Sequence, residues 1–400
     1  MTPLPPAAAV QAALRTTTER LAAEVASPRP AAPAWTHFEW RIARAVAVMH
    51  GVSGLLSARL AWHGPPGWMD FLREQHAHTA ARQVRLIELR ERVNAAFAED
   101  AIPAQALKGA VLDAIFYRPG ERPMADLDVL VTLPHAERAA DALGRLGLHE
   151  TQRTIKHRVF EAQPGAAAAH FGEHADNPLK VELHERICEP LPLHLTDITR
   201  RVAGRDLHPG LNPYPSPAAL MAHLLLHAAG GMTWRTLRLI QLHDIALLAG
   251  TLAVRDWEEL LADAPGWAWP PLSLAARYYG ALLPYPLAHA AHAACPGILR
   301  HVSARQRLSD VSLSRLWIEP LPGIEWAHSV TEALGFAARR LVPSARTRAE
   351  RRSSLAIEPS LREGDWGRLS QARRVLRVLG TRTPRPWPLH NVRAALALLH

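Results

Sequence analysis

A chain of 400 residues, 48% apolar and 21% charged, has the length of two or three compact units and enough apolar residues to bury large cores. That excludes a disordered chain and a small cross-linked scaffold. Two cysteines, Cys188 and Cys295, exclude a disulfide framework and a four-thiolate zinc site and point to the reducing cytoplasm. The net charge of +9 is carried by residues 339–400, which hold fourteen arginines against four acids, so the rest of the chain is close to neutral and has no general affinity for polyanions.

Residues 1–35 are rich in alanine and proline, and SPRPAAPAW reads as an extended linker or a loosely packed lead-in. Over 36–100, HFEWRIARAVAVMHGVSGLLSARLAWHG and MDFLREQHAHTAARQVRLIELRERVNAAFAED place apolar residues at helical spacing. The period then changes. IPAQAL is a short strand, GAVLDAIFY a helix opened by glycine, and MADLDVLVTL a strand whose apolar residues alternate with carboxylates. HAERAADALGRLG reads as an amphipathic helix, and HETQ, HRVFEAQ and LKVELHERI as strands.

These elements make a mixed unit at 101–210, ending at the bridge LNPYPSP. A helical domain at 211–338 follows, led by a segment that is helical on both sides of Gly230 and Gly231. Residues 339–400 form a basic region, read as a solvated face or as a contact for RNA or an acidic partner. No run of about 18 uninterrupted apolar residues occurs, and no basic-then-apolar leader opens the chain, so no membrane span is expected. The expected class is α+β, a small mixed-sheet core flanked by helical regions.

The chemistry concentrates in LKGAVLDAIFYRPGERPMADLDVLV, followed by KVELHERI. Asp126 and Asp128 are two apart on a strand, so both carboxylates project from one face. Such neighbours repel each other unless a cation holds them, and magnesium suits carboxylate and phosphate oxygen. Glu182, on the later strand, is placed to complete a cluster able to hold two metal ions. Gly109 stands at a strand-to-helix junction, where the absent Cβ and the first helical N–H groups admit a phosphate. Lys108 and Arg122 are the cations suited to a triphosphate, or else a surface lysine and an ion-pair partner of Asp126. Only Lys108, Lys156 and Lys180 are lysines, and a chain this biased to arginine keeps lysine where a compact ammonium is needed.

These residues resemble the nucleotidyltransferase superfamily with the DNA polymerase β-like fold, whose signature is a glycine turn, a strand Asp-x-Asp and a third acid on another strand. More narrowly, residues 107 to about 250, with LKGAVLDAIFYRPGERPMADLDVLV, VELHERI and LLLHAAGGMTWRTLRLIQLHDIALL, look like the bacterial family of uncharacterised nucleotidyltransferases, often associated with peptide natural-product clusters. The resemblance implies a nucleotidyltransferase core in which Asp126 and Asp128 bind Mg2+ and nucleoside triphosphate. Glu182 then ligates metal or accepts the proton of an acceptor hydroxyl.

It also implies triphosphate contacts at Lys108, Gly109, Ala110 and Arg122. Ala110 stands where the superfamily has serine, and seventeen positions separate Gly109 from Asp126. The reaction implied is attack of a hydroxyl on the α-phosphorus, with a peptide, protein, small molecule or RNA as acceptor. The rival from another class is a nucleotide-binding scaffold or sensor without turnover. His223 and His227, one helical turn apart, read as packing histidines rather than a metal pair, and Asp244 as a structural residue. His184 is open to either role, and the direction of His157 is undetermined.

Overall fold

The computed structural model describes residues 4–162, 171–191, 194–263, 265–343 and 369–397. Four helices come first: α1 (Ala7–Ala26), α2 (His37–His50), α3 (Ser53–Arg59) and α4 (Pro66–Glu99). Residues 27–35 carry no helix or strand, but the alanine-rich stretch before them is α1, with Leu14, Leu21 and Ala22 fully buried. Alanine here is a close-packing residue with high helix propensity rather than a sign of loose chain.

Thr36 opens α2 through a capping box with Glu39, and Gly51 closes it with φ of +65°, each supplying groups that a helix end leaves unsatisfied. At 34 residues, α4 is roughly 50 Å long and belongs to both cores. Its Trp68, Phe71 and Leu72 pack in the helical core, while Leu86, Leu89, Val93 and Phe97 lie under the sheet.

A sheet of six strands follows, β1 (Pro103–Ala106), β2 (Asp126–Val131), β3 (His149–Arg153), β4 (His157–Glu161), β5 (Lys180–His184) and β8 (Gly210–Asn212), in the order β3-β4-β5-β2-β1-β8. The β2–β5 and β1–β8 pairs are parallel and the others antiparallel. Helix α5 (Lys108–Phe116) joins β1 to β2, and α6 (Ala136–Arg145) leads to β3. One face of the sheet packs on α4 and α6. Strands β6 (Cys188–Leu191) and β7 (His194–Asp197) form a separate antiparallel pair, followed by α7 (Thr199–Val202). Neither β6, β7 nor β8 is signalled in the sequence: they are three or four residues long, and β8 pairs with β1 alone. The fold is therefore α+β, with helices flanking a small mixed sheet.

The helical part begins with α8 (Pro217–Trp234) and α9 (Leu239–Ala249). Helix α8 runs through Gly230 and Gly231 and stops at Arg235, whose φ is +57°. Arg235 is held there by Glu319 at 2.8 Å and Glu325 at 3.0 Å. The glycines serve close approach instead: a Cβ on Gly231 would lie 3.2 Å from Leu237 Cα, and one on Gly230 would collide with Glu189. Beyond residue 260 some of the prolines stand in the first turn of a helix, as in Trp269–Tyr279 and Tyr285–Ala294, where no proline N–H is needed. Among the described residues no helix is long and apolar enough to cross a membrane, and Cys188 and Cys295 are both free and buried. Within the basic C-terminal region, residues 344–368 and 398–400 lie outside the described residues.

His50 joins α2 to α9 with no exposure to water. Its Nδ1 accepts the Leu239 N–H at 2.9 Å, so Nε2 carries the proton, 2.8 Å from Ser314 Oγ. Burial first, and then Arg238, push its pKa to about 3. Unfolded, the ring titrates near 6.5, so its contribution to stability is complete above that pH. Below it, stability falls by about 1.4 kcal/mol per pH unit until the folded value is reached. Between pH 7 and pH 5, wild type is expected to lose about 2 kcal/mol more than His50→Asn in urea unfolding. Identical pH slopes would refute the assignment.

Candidate active site

Strand β2 pairs with β5 so that Asp126 lies opposite Lys180 and Asp128 opposite Glu182. Alternate residues share a face. Leu127, Val129, Val131, Val181 and Leu183 enter the core beneath the sheet, which leaves Asp126, Asp128, Glu182 and His184 on the opposite face. Strand β4 then sets His157 beside His184. The parallel register alone thus brings the third acid to the first two.

Asp128 is buried, while Asp126 and Glu182 are partly exposed. His184 Nε2 lies 2.8 Å from Asp128 Oδ1 and 3.7 Å from Glu182 Oε2, and Lys108 Nζ is 3.5 Å from the same Asp128 oxygen. His157 Nδ1 is 3.5 Å from Glu182 Oε2. Burial by itself raises a carboxyl pKa, but at Asp128 it is overcome by Lys108 and His184, which hold the group well below its ordinary value. At Glu182 burial is likewise outweighed, chiefly by the nearby His184 imidazole, and the group is held below its ordinary value. At Asp126 burial prevails, and followed by the charges of Asp128 and Glu182 it raises the group to about 7. Burial lowers His184 and Lys108, yet the acids raise both overall, while burial takes His157 down to about 4. Lys108 and His184 therefore sit among the acids, against the carboxylate oxygens that a divalent ion would also neutralise.

Lys108 opens α5 with φ of +32°, a left-handed conformation that costs a non-glycine residue about 1–2 kcal/mol. Its N–H donates to Tyr214 Oη at 3.0 Å, and that hydroxyl in turn donates to His223 Nδ1 at 2.8 Å. Burial keeps the His223 ring neutral, well below its ordinary pKa, as an accepting Nδ1 requires. His223 therefore anchors the backbone that aims Lys108 at Asp128. Leu107 offers no side-chain cap to α5, so the helix start presents amides to the site.

Gly109 differs from expectation in what fills its missing side chain. A Cβ there would lie 3.0 Å from Arg122 Nη1 and 3.2 Å from Met124 Sδ, so the glycine admits a neighbouring arginine. Arg122 does not pair with Asp126: its Nε and Nη2 donate to Asp244 at 3.1 and 2.8 Å in a buried pair. The carboxylate partner is thus Asp244 rather than Asp126, and the guanidinium is held beside Gly109. Ala110 is buried in the core beneath the sheet, so its methyl group packs instead of facing a ligand.

Helix α8 and β6 wall a pocket beside the acids, lined by Lys108, Lys156, His157, His184, Glu189 and His227 among others. Lys156 Nζ is 2.5 Å from Glu189 Oε2, and His227 Nδ1 is 3.4 Å from Oε1. Those contacts require the bare backbone of Gly230. Arg238 donates Nε to the Met49 carbonyl at 3.1 Å and lies near enough to Asp126 to feel its charge. Lysine scarcity points to Lys108 and Lys156 in advance. Tyr214, Glu189 and Arg238 carry no sequence signal, since each reaches the site through tertiary contacts.

The donor set fits a divalent cation: three carboxylates on one face, an ammonium among them, and a buried His157 Nδ1 with no hydrogen-bond partner. A family model described as an uncharacterised nucleotidyltransferase matches residues 36–284. Searches of curated proteins and of solved structures find no match. The match takes in α2, α3 and α4, the sheet with its acids, and α8 and α9, well over half of the chain, and on that ground the chain belongs to the uncharacterised nucleotidyltransferase family.

Proposed function

We propose that this protein is a magnesium-dependent nucleotidyltransferase of DNA polymerase β-like architecture, moving a nucleoside monophosphate from a triphosphate to an acceptor hydroxyl. The register that seats Glu182 beside Asp128, on the face Asp126 shares, supports this reading most. Asp126, Asp128 and Glu182, drawn from the paired strands β2 and β5, would hold two ions. Bound magnesium neutralises charge on the triphosphate and on the entering and departing oxygens.

Lys108, Arg238 and the uncapped amides at the start of α5 supply positive charge for the phosphate chain. Asp244 fixes Arg122 as a positioning residue above Gly109. The acceptor oxygen bonds to the α-phosphorus as the bond to pyrophosphate breaks, and its proton passes to Glu182 or to solvent. The pocket between β5, β6 and α8 is the acceptor side in this reading. Its cations suit a peptide, protein, small molecule or RNA end, and the arginine-rich C-terminal region adds a contact for RNA or an acidic partner.

Stripping divalent ions with a chelator is expected to abolish pyrophosphate release from labelled triphosphates, and magnesium to restore it. Release that survives chelation overturns the metal-dependent reading. Tight triphosphate binding without release, across a broad acceptor set, favours a scaffold.

A further inference from the structure

Two imidazoles stand beside the acids without a part in the transfer reaction as proposed. His157 and His184 are cross-strand neighbours with ring centroids 5.0 Å apart. Glu182 Oε2 lies between their nitrogens, 3.5 Å from His157 Nδ1 and 3.7 Å from His184 Nε2. One ligand atom from each of the three residues lies within 4.8 Å of the others. Ligands bonded at 2.0–2.2 Å in a tetrahedral shell stand roughly 3.3–3.6 Å apart, so both Glu182 contacts are already near that spacing, and the two imidazole nitrogens lie within 4.8 Å. His157 Nδ1 is buried and accepts or donates no hydrogen bond, although burying an imidazole nitrogen without a partner is unfavourable.

We infer that His157, Glu182 and His184 form a site for a transition-metal dication of the zinc class, next to the carboxylates assigned to magnesium. The inference rests on the transferase reading in so far as Glu182, and Asp128 as a fourth ligand, are shared by both sites. Two imidazoles and a carboxylate are a donor set suited to zinc or iron, whereas magnesium takes oxygen ligands and keeps its waters. Asp128 Oδ1, 2.8 Å from His184 Nε2, stands ready as a fourth ligand. All four residues lie on three adjacent strands, β2, β5 and β4, so their spacing is set by the sheet and not by a loop.

The test strips the full-length protein of metal and titrates it with Zn2+ in excess Mg2+, using wild type, His157→Gln and His184→Gln with folding checked by circular dichroism. Expected are one site that Mg2+ does not displace, affinity at least about 100-fold weaker in either variant, and imidazole scattering in the zinc absorption spectrum of wild type. An all-oxygen shell, or affinity unchanged in both variants, overturns the site. Should a variant unfold, the wild-type spectrum still decides. Binding of magnesium triphosphate is followed in the same samples. A protein that binds triphosphate but no zinc removes this site and leaves the transferase reading, and one that binds zinc through both histidines but no triphosphate does the reverse.

Discussion

Replacing Asp128 by Asn is expected to cut pyrophosphate release by about 10³-fold or more, since losing about 4 kcal/mol of transition-state stabilisation corresponds to that factor. Asp126→Asn should lose activity to a similar degree. Their stabilities should diverge, because the two carboxylates have different surroundings. Asp128 balances Lys108 and His184, and its removal leaves buried positive charge uncompensated.

Asp126 is destabilised when ionised: burial, Asp128 and Glu182 raise it to about 7, against about 3.9 in an unfolded chain. The folded state thus retains a proton that the unfolded state has released between pH 4 and pH 7, and stability from this group falls as pH rises through that window. Asp126→Asn should therefore be more stable than wild type at pH 8 by about 1–2 kcal/mol in the absence of metal, with the gain fading towards pH 4. Thermal unfolding at the two pH values, alongside turnover, checks both. Wild-type turnover in either variant would remove these acids from the mechanism.

Asp244→Ala is expected to destabilise the fold by about 3–5 kcal/mol, the usual result of breaking a buried ion pair from one side. Asp244 is 1% exposed and accepts from both Arg122 nitrogens and from Tyr117 Oη at 2.7 Å. A guanidinium keeps its proton in a protein interior, so the loss of Asp244, which raises the Arg122 pKa against burial, leaves a buried charge without its partner. The pair ties α9 to the segment before β2 and holds a guanidinium against Gly109, so turnover should fall as well. Replacing both partners, as Arg122→Met with Asp244→Leu, should restore part of the stability without restoring turnover. Urea unfolding of the single and double variants measures the coupling. A loss below about 1 kcal/mol in Asp244→Ala would mean that the pair is solvated.

Much of the mixed core is legible in the residues themselves, because its signals are local. The period-2 pattern of MADLDVLVTL and KVELH locates β2 and β5 and puts the acids on one side of each strand, and amphipathic spacing locates α4, α6 and α9. The course of α8 is less legible: paired glycines suggest a break, while the structure uses them to admit Glu189 and Leu237. The alanine-rich composition before SPRPAAPAW does not by itself announce α1, since small residues pack closely only when a partner is present.

What the sequence determined by itself is the chemistry available: two acids in phase on a strand, a later acid among apolar neighbours, a lysine at a helix start, and a charge excess confined to one end. Only the tertiary structure decided which of these meet. Parallel pairing of β2 with β5 put Glu182 beside Asp128, α9 gave Arg122 its partner in Asp244, and β4 turned His157 towards Glu182. The physical reason is that strand register and helix docking are settled by burying one apolar face against another. Which polar side chains then share the opposite face depends on partners distant in the chain, which no local pattern specifies.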